Sequence, residues 1–307
     1  MEMHMEIVIA GGTGFVGNRL AKLLLKSGAR VTVLSRTEIK LNDELLQYVK
    51  WSPGSKEEKD WSWCIDGAHA VVNLSGAPIS GKRWSRKQKD EILGSRLKAT
   101  RAIAGAIKKA SNPPKILVSG SAVGYYGNCG EKELTESSPC GRGFLADVCR
   151  RWETEAHAAS EAGTRVCIVR TGIVLGREGG IIRQTEMMLR YFISARFGSG
   201  KQWMSWIHAD DEARAIKFLI DSQGCSGAYN LTSPNPVTNL EFSEKLSKYT
   251  GRKGMLRPPA VLLRAAAGEM AEEMIFASQR ALPRRLEKAG YRFTYPSIDN
   301  ALKEIFV

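Results

Sequence analysis

The segment FLADVCRRWE, residues 144–153, places a cysteine directly before two arginines. A free cysteine has a pKa of about 8.5, and a nearby positive charge lowers it. If Arg150, Arg151 or Arg96 lies close to its sulfur, Cys149 would carry a thiolate that can act as a base. A cysteine is more often a small buried apolar residue, and the pattern also predicts a helix over about 142–163 that only packs on a sheet. The fold around the segment decides between these interpretations.

Histidine and metal chemistry have weaker support. The four histidines include no HExxH pattern and the six cysteines include no CxxC pair, so no metal site is predicted. His208, in WIHADD, has the residue type of a general acid. The same hexapeptide favours a structural role, in which His208 fixes the start of a helix that Asp210 caps.

Apolar runs bounded by turn residues alternate with amphipathic segments along the first half of the chain. The runs predict strands, and the spacing of apolar residues between them predicts helices. This alternation indicates an α/β fold of the Rossmann type, a doubly wound parallel sheet with helices on both faces. The predicted strands are residues 5–10, 29–35, 69–75, 115–120 and 164–170, and the predicted helices begin near residues 15, 85 and 142.

The alternation loosens after about residue 175. We therefore predict a nucleotide-binding Rossmann domain over 1–175 and a smaller, mostly helical lobe over 176–307, interleaved with the last strands of the sheet. The predicted elements there are a helix at 210–222, a strand at 227–231, a helix at 239–250 and three C-terminal helices.

The sequence AGGTGFVG connects the first predicted strand to the first helix. In this G-x-x-G-x-x-G series, Gly11 gives a tight turn, Gly14 lets the backbone approach a pyrophosphate, and Gly17 lets helix pack on strand. The helix N-terminus then presents unpaired N–H groups to the phosphates. The series therefore predicts a dinucleotide site. The expected contacts are Gly11, Thr13, Gly14, Phe15, Val16 and Gly17.

The end of the second predicted strand discriminates between dinucleotides. NAD binders usually carry Asp or Glu there to hold the ribose 2′-hydroxyl, whereas here no acid occurs before Glu38. Ser35 can donate to a 2′-phosphate, and Arg36 can pair with it through charge-assisted hydrogen bonds. The sequence therefore predicts NADP(H) rather than NAD(H).

The chain carries a net charge of +13, and ten basic residues between Lys82 and Lys109 stand against two acids. Such a stretch is typical of attraction for nucleic acid or a phosphorylated ligand, or of a solvated helix face. No recognised nucleic-acid motif accompanies it, so we expect a solvated face and no nucleic-acid partner. No apolar run reaches the roughly 18 residues that span a bilayer, and the first residues show no export signal. We expect a cytoplasmic protein that does not enter a membrane.

GGTGFVG, NLSG at 73–76, SGSAVGYYG at 119–127, VRTGIVLG at 169–176 and WIHADD at 206–211 follow one another along the chain. In this order they resemble the extended short-chain dehydrogenase/reductase family. KRW at 82–84, CRRWE at 149–153 and QRALPRRLEKAGYRF at 279–293 narrow the resemblance to an atypical subgroup. This subgroup comprises nucleoside-diphosphate-sugar epimerase-like members of the NAD-dependent epimerase/dehydratase family. Its mark is an extra C-terminal segment, about 252–307 here.

The resemblance implies a seven-stranded sheet that carries the nucleotide, with substrate bound under the smaller lobe. By position, Leu74 and Ser75 would pass the adenine side of the cofactor. Arg96 stands where extended members usually carry Asn, and Glu91 lies five residues before it. Both would contact the cofactor.

Active members of the family carry Tyr-x-x-x-Lys in the helix that matches FLADVCRRWE. Aligned on Glu153, this chain has Leu145 at the Tyr position and Cys149 at the Lys position, and a shift by one gives Phe144 and Val148. The tyrosine is normally the acid/base, and the lysine lowers its pKa and holds the nicotinamide ribose. Neither alignment supplies a phenol or an ammonium group.

Other residues are candidates to replace the missing pair. Ser121 matches the upstream serine with which the family polarises the substrate oxygen. Tyr126 and its neighbour Tyr125 either aim a hydroxyl at the cofactor or pack and bind substrate. Arg96 would supply a fixed positive charge in place of the lysine. The catalytic candidates are Ser121, Tyr126 and Cys149.

Substrate contacts are predicted near GSGKQW, in the region where extended relatives contact substrate. Lys201, Trp203 and Trp206 are the candidates there. Arg170 and Arg284 are expected either to meet an anionic ligand or to buttress the lobe.

Two functions from different classes follow. The leading interpretation is an NADP(H)-binding oxidoreductase or epimerase-like enzyme acting on a small compound, with nucleotide sugars among the candidates, as a monomer or homodimer. The alternative is a non-catalytic, NADPH-responsive binding or regulatory protein that keeps the Rossmann site and has lost the chemistry.

Overall fold

The computed structural model describes residues 5–40, 43–54 and 61–307. The strands are Glu6–Ala10 (β1), Arg30–Ser35 (β2), Leu46–Lys50 (β3), Ala70–Asn73 (β4), Ile116–Ala122 (β5), Glu133–Leu134 (β6), Arg165–Thr171 (β7), Ile173–Gly176 (β8), Trp203–Met204 (β9), Trp206–His208 (β10), Gly227–Leu231 (β11), Val237–Thr238 (β12) and Arg280–Ala281 (β13). The α-helices are Phe15–Lys26 (α1), Arg86–Lys109 (α2), Phe144–His157 (α3), Gly180–Arg190 (α4), Ala209–Asp221 (α5), Asn239–Thr250 (α6), Ala260–Ala267 (α7), Arg284–Lys288 (α8) and Ile298–Phe306 (α9). A π-helical turn, Ala271–Ile275, follows α7.

Seven parallel strands form the central sheet in the order β11-β7-β5-β4-β1-β2-β3. From β1 the chain winds one way through β2 and β3, and the other way through β4, β5, β7 and β11. The winding therefore reverses between β1 and β4, and sheets of this kind bind ligands at the carboxyl ends of the strands beside such a point. The prediction of a Rossmann-type doubly wound sheet is confirmed.

Helices bury both faces of the sheet, which explains why its strands are nearly continuous apolar runs. On one face, Ile9 of β1 belongs to a buried cluster with Leu24 of α1 and Ile216 of α5. On the other face, Val8 of the same strand joins a cluster with Ile103 of α2. The alternation of side chains along β1 thus ties the sheet to a helical layer on each side.

The predicted strands and helices of the first half agree with the structure to within a few residues, except that α3 ends at His157, before the predicted end near 163. Ser85 caps α2 by accepting a hydrogen bond from the backbone N–H of Gln88 at 3.2 Å, as its position predicts. β3 is missing from the prediction. Its residues LQYVK are partly exposed at the edge of the sheet, so no apolar run marks the strand.

The start of α5 differs from the prediction. His208 rather than Asp210 is the N-cap, and its Nδ1 accepts a hydrogen bond from the backbone N–H of Asp210 at 3.2 Å. Its Nε2 lies 2.7 Å from a carboxylate oxygen of Glu304. The ring is buried, and burial lowers the pKa of His208. These contacts favour a structural role for the histidine.

The smaller lobe packs α4, α6 and α9 around a core that includes Trp206 and Phe242. Between α5 and α6 the chain returns to the central sheet as β11, so lobe and sheet are interleaved. The division of the chain at residue 175 stays a prediction. Within the described residues, no helix has the length and apolar character needed to cross a membrane.

Candidate functional site

The glycine loop brings backbone segments into close contact at the carboxyl end of β1. Gly11 has a φ of +83°, in the left-handed region that favours glycine. A Cβ there would lie 2.8 Å from the carbonyl carbon of Leu74. A Cβ on Gly17 would lie 2.8 Å from the Cα of Gly12. Side chains at these two positions would push the loop away from the residues after β4 and from α1.

The surroundings of the loop fit a dinucleotide phosphate. Gly14 is the N-cap of α1 without a side-chain cap, and no acid occupies the first turn, so the positive end of the helix is uncompensated. Ser75, beside Gly11, has a buried hydroxyl oxygen with no hydrogen-bond partner among the described residues. Buried polar groups are normally bonded, so this hydroxyl suits a ligand atom. Thr13 is exposed in the same turn, and Phe15 and Val16 begin α1 half-buried.

The end of β2 offers hydrogen-bond donors and a cation. Ser35 is buried, and its hydroxyl accepts a hydrogen bond from the backbone N–H of Thr37 at 3.2 Å. Arg36 is exposed beside it. The next carboxylate, of Glu38, lies 3.9 Å from the ammonium group of Lys40. Hydroxyls and a guanidinium are groups that bind a 2′-phosphate well.

A cavity of about 550 Å³ lies between the sheet and the smaller lobe. At the carboxyl ends of β5 and β7 it is lined by Ser121 and Thr171, and the first turns of α3 contribute Leu145, Val148 and Cys149. Residues of α4, α7 and the π-helical turn line it from the lobe. Its volume is within the range of small-molecule sites.

Leu145 and Cys149, at the positions of the family's Tyr and Lys, therefore line the same cavity one helical turn apart. Cys149 is 3% exposed. Burial, together with the nearby carboxylate of Glu153, raises the pKa of its thiol to about 11. Cys149 is therefore protonated at neutral pH.

Burial outweighs the nearby positive charge of Arg96, which lowers the pKa of Cys149, and the two arginines next to Cys149 along the chain do not add to it. Arg150 and Arg151 are exposed on the outer side of α3, and their guanidinium groups lie 2.5 and 3.7 Å from the carboxylate of Asp147. They compensate that acid in solvent and do not offset the burial of the thiol.

Ser121 is bonded to a buried charged network. Its hydroxyl donates to Glu153 Oε1 at 2.6 Å. Nε and Nη2 of Arg170 donate to the two oxygens of Glu153, both at 2.9 Å. The hydroxyl of Tyr126 accepts from Arg170 Nη1 at 3.1 Å and donates to Asn230 Oδ1 at 2.7 Å. The network anchors Ser121 at the cavity wall.

Tyr126 is not among the residues that line the cavity. It is 1% exposed, and burial raises the pKa of its hydroxyl to about 12. Arg170 is equally enclosed, with its guanidinium carbon 3.5 Å from the ring centroid of Tyr125. Of the two alternatives for Arg170, the structure favours buttressing over contact with an anionic ligand.

Arg96 lies at the wall of the cavity on α2. Its Nη1 donates to the carbonyl oxygens of Ala77 and Ile92, both at 3.0 Å. Its guanidinium carbon lies 5.2 Å from the ring centroid of Trp152. Glu91, on the same helix, is exposed and does not line the cavity. The guanidinium is thus fixed beside the residues that follow β4.

Among the three substrate candidates near GSGKQW, Trp203 lines the cavity. Trp206 is fully buried in the core of the lobe, and Lys201 is exposed outside the cavity. Arg284 is exposed on α8, 3.4 Å from the carboxylate of Glu287. The structure therefore retains Trp203 as a candidate and separates the others from this cavity.

Glu273, in the π-helical turn, lines the cavity and escapes prediction from the sequence. Its carboxylate oxygens accept hydrogen bonds from the backbone N–H groups of Phe144 at 2.6 Å and Leu145 at 2.7 Å. Gly143, the N-cap of α3, makes no side-chain cap of its own. The pair Glu272 and Glu273 in an otherwise apolar run could have indicated this contact, because a buried carboxylate needs a hydrogen-bond partner.

Fold and site together define a dinucleotide-binding α/β protein, and comparison with known sequences gives its family. The NAD dependent epimerase/dehydratase family matches residues 7–232, and a domain of unknown function, DUF1731, matches residues 258–305. The chain belongs to the NAD-dependent epimerase/dehydratase family, with the additional C-terminal segment that the sequence predicts.

Relatives match along almost the whole chain. The identity is 38% over 308 residues with the chloroplastic SDR39U1 homolog of Arabidopsis thaliana, an epimerase family protein, covering 99% of this chain and 87% of that one. It is 35% over 303 residues with the epimerase family protein YfhF of Bacillus subtilis, covering 98% of each.

Solved structures share the fold of this chain. The human epimerase family protein SDR39U1, crystallised with NADPH, superposes with a TM-score of 0.88 at 31% identity, covering 98% of this chain and 99% of that one. UDP-glucose 4-epimerase from Thermotoga maritima, with UDP-glucose, gives a TM-score of 0.80 at 18% identity, covering 98% and 97%. The second likeness shows the fold alone.

Proposed function

We propose that this protein is an NADP(H)-dependent oxidoreductase or epimerase-like enzyme acting on a small carbonyl or hydroxyl compound, for which a nucleotide sugar is one candidate. The observation that carries this proposal is the position of the cavity. The cavity is lined by Ser121 at the end of β5 and by Cys149 of α3, on the same edge of the sheet as the glycine loop and Ser75. A bound nicotinamide supplies or takes up a hydride, and a substrate in the cavity would be beside the cofactor edge of the sheet.

The preference for NADP(H) rests on the end of β2. Arg36 and the hydroxyls of Ser35 and Thr37 supply donors for a 2′-phosphate without a carboxylate to repel it. The NADPH in the human relative supports the same cofactor. The residues proposed to hold it are Gly11, Thr13, Gly14, Phe15, Val16, Gly17, Ser35, Arg36, Leu74, Ser75, Glu91 and Arg96.

Among the catalytic candidates, Ser121 has the best position, because its hydroxyl is anchored at the cavity wall. Its oxygen, already donating to Glu153, can accept a hydrogen bond from a substrate hydroxyl. Cys149 lines the cavity as a neutral thiol, and Tyr126 belongs to the buried network. We therefore propose Ser121 as a substrate contact and assign neither Cys149 nor Tyr126 the role of the acid/base.

A second proposed role, that of a non-catalytic NADPH-responsive protein, is favoured by the side chains at the positions of the family's Tyr and Lys. Neither position of the Tyr-x-x-x-Lys pair carries a group that exchanges protons near neutral pH, since Leu145 is apolar and the thiol pKa of Cys149 is about 11. This function keeps the proposed cofactor site and removes the chemical step.

One experiment separates the two functions. Nucleotide released from the purified protein is identified by mass spectrometry, NADPH and NADH are titrated by calorimetry, and NADPH absorbance is followed with a panel of carbonyl compounds. Steady NADPH oxidation with one compound supports the enzyme. Tight NADPH binding without turnover across the panel supports the responsive protein, and absence of dinucleotide binding contradicts both.

We also propose a cytoplasmic location, a monomer or homodimer, and no nucleic-acid partner. The basic stretch on α2 includes Lys89, Arg101 and Lys108, which pair with Glu269, Glu155 and Glu161 of neighbouring segments. Charges paired within the fold are less available to phosphates, which favours a structural role for this helix face.

A further inference from the structure

The cavity has large apolar side chains on both of its sides. Leu145 of α3 lines the side of the nucleotide-binding domain, and the lobe contributes Met188 of α4, Leu263 of α7 and Met274 of the π-helical turn. Trp203 also lines it. An apolar lining of this kind favours apolar ligands, because binding removes their apolar surface from water.

The cavity offers little to a nucleoside diphosphate. Three ionisable residues line it among the described residues: Arg96, Cys149 and Glu273. Glu273 is anionic when ionised and both of its oxygens already hold the start of α3, while the thiol of Cys149 is neutral. Two phosphate charges buried there would have one guanidinium as counter-charge, and buried charges without partners are costly.

That single guanidinium lies on the cofactor side of the cavity. A Cβ on Gly76 would lie 2.9 Å from the guanidinium carbon of Arg96, and Gly76 directly follows Leu74 and Ser75, which we propose as cofactor contacts. Three of the lining amides of the lobe are engaged, because Gln202 donates to the carbonyl oxygens of Phe197 and Ile275, Gln279 to that of Gly127 and Asn239 to that of Ala195. No described residue of the lobe that lines the cavity carries a positive charge for a diphosphate.

Exposed apolar residues of α4 and α7 lie next to residues that line the cavity. Met187 and Leu262 are 58% and 62% exposed, and the residues that follow them, Met188 and Leu263, line the cavity. No residue of α7 is buried, although its sequence AVLLRAAA is apolar apart from one arginine. α4 and α7 thus carry apolar residues both on the outside of the lobe and at the cavity wall.

We propose that the substrate is an apolar carbonyl or hydroxyl compound, which enters between α4 and α7, and not a nucleotide sugar. The proposal rests on the proposed NADP(H)-dependent function and narrows its substrate class. The solved structures with UDP-sugars share only the fold with this chain, at 16% to 19% identity, so their ligands do not determine the contents of this cavity.

The test uses Nile red, an uncharged fluorescent dye with a carbonyl group, titrated into full-length protein saturated with NADP⁺. Saturable binding is expected, with displacement by 2-decanone and none by UDP-glucose. Leu263→Asp should weaken dye binding by at least about tenfold, since it places a charge in an apolar wall. The control Ala266→Asp puts the same charge on an exposed position of the same helix and should change dye affinity by less than about twofold, a small free-energy change.

Calorimetry with NADPH on the same samples keeps the proposed function separate. Displacement of the dye by UDP-glucose, or equal dye affinity in the Leu263→Asp variant and the parent protein, would overturn the apolar substrate class. Failure of NADPH to bind, with dye binding intact, would overturn the oxidoreductase function instead. Both variants should retain the parent's circular dichroism spectrum and NADPH affinity.

Discussion

The carboxylate of Glu273 accepts a hydrogen bond from the backbone N–H of Leu145 at 2.7 Å, across 128 positions of the chain. Leu145 stands where active members of the family carry their tyrosine, and Glu273 comes from the C-terminal segment matched by DUF1731. The first N–H groups of a helix have no partners within it. The C-terminal segment therefore completes the start of α3 at the point where the family's usual acid/base is missing.

Replacing Glu273 with Ala should lower the free energy of unfolding by about 1–2 kcal/mol, the range for loss of an N-cap interaction. The start of α3 would lose two hydrogen bonds, and Gly143 offers no side chain to replace them. Urea denaturation followed by circular dichroism measures the change.

Glu272→Ala is the matched control. Glu272 is exposed and pairs with Arg264 on the surface at 2.5 Å, and exposed ion pairs contribute about 0–1 kcal/mol. Equal destabilisation by the two substitutions would contradict the capping role of Glu273.

The strands at the centre of the sheet could be predicted because each is buried on both faces and forms an uninterrupted apolar run. The edge strand β3 could not, since its residues are half exposed and lack such a run. The glycine loop could be predicted from the sequence for a different reason. The backbone at Gly11 and Gly17 leaves no room for a Cβ. Only glycine fits there, so the glycines in the sequence mark the loop directly.

Cofactor choice is tested at Arg36. NADPH should bind more tightly than NADH by at least about 1.5 kcal/mol, the lower end for a hydrogen bond to a charged group. Arg36→Asp should reverse this order, because its carboxylate repels a 2′-phosphate and can accept from a 2′-hydroxyl. Lys22→Asp makes the same charge change at an exposed site on α1 and should preserve the order. Equal calorimetric affinities of the parent protein for both dinucleotides would refute the assignment.

Cys149 should be unreactive towards iodoacetamide at neutral pH in the folded protein and reactive after unfolding, as peptide mass spectrometry would show. The thiolate is the reactive form, and burial raises the pKa of this thiol from 9.0 to about 11. Cys129, which is partly exposed, provides the reference for alkylation of the folded chain. Rapid labelling of Cys149 in the native state would contradict the assignment of a neutral thiol.

The same raised pKa sets a pH dependence. The contribution of the buried neutral thiol to stability should be present in full below about pH 9 and be lost as the pH rises through about 11. In urea denaturation at several pH values, Cys149→Ala should reduce the alkaline loss, while the buried Cys167 thiol, whose pKa is also raised to about 11, keeps its own share. NADPH affinity should stay within a few-fold of the parent protein, since the thiol is not proposed to bind the cofactor.

For the catalytic candidates, the sequence predicts which residues share a helix face but not their contacts with residues far along the chain. A four-residue step places Leu145 and Cys149 on one face of a helix, and both do line the cavity. The partner of Tyr126 could not be read in this way, because Asn230 is 104 positions away and meets it only through the pairing of β11 with β7. The thiol pKa likewise depends on burial by several elements, which residue type alone does not record.

Glu212, on α5, should make stability fall as pH rises between about 5 and 8. Its carboxyl accepts a hydrogen bond from Thr171 at 2.7 Å, it is 1% exposed, and burial raises its pKa from 4.5 to about 8. The folded protein holds a proton there that the unfolded chain releases above pH 4.5, so the contribution is complete below that pH and is lost as the pH rises through 8. The slope is at most ~1.4 kcal/mol per pH unit for one proton. Glu212→Gln, which stays neutral, should remove the Glu212 contribution to that decline in urea denaturation, whereas Glu161→Gln at an exposed site should retain it. Parallel pH profiles for the Glu212→Gln variant and the parent protein would show that Glu212 is ionised in the folded state.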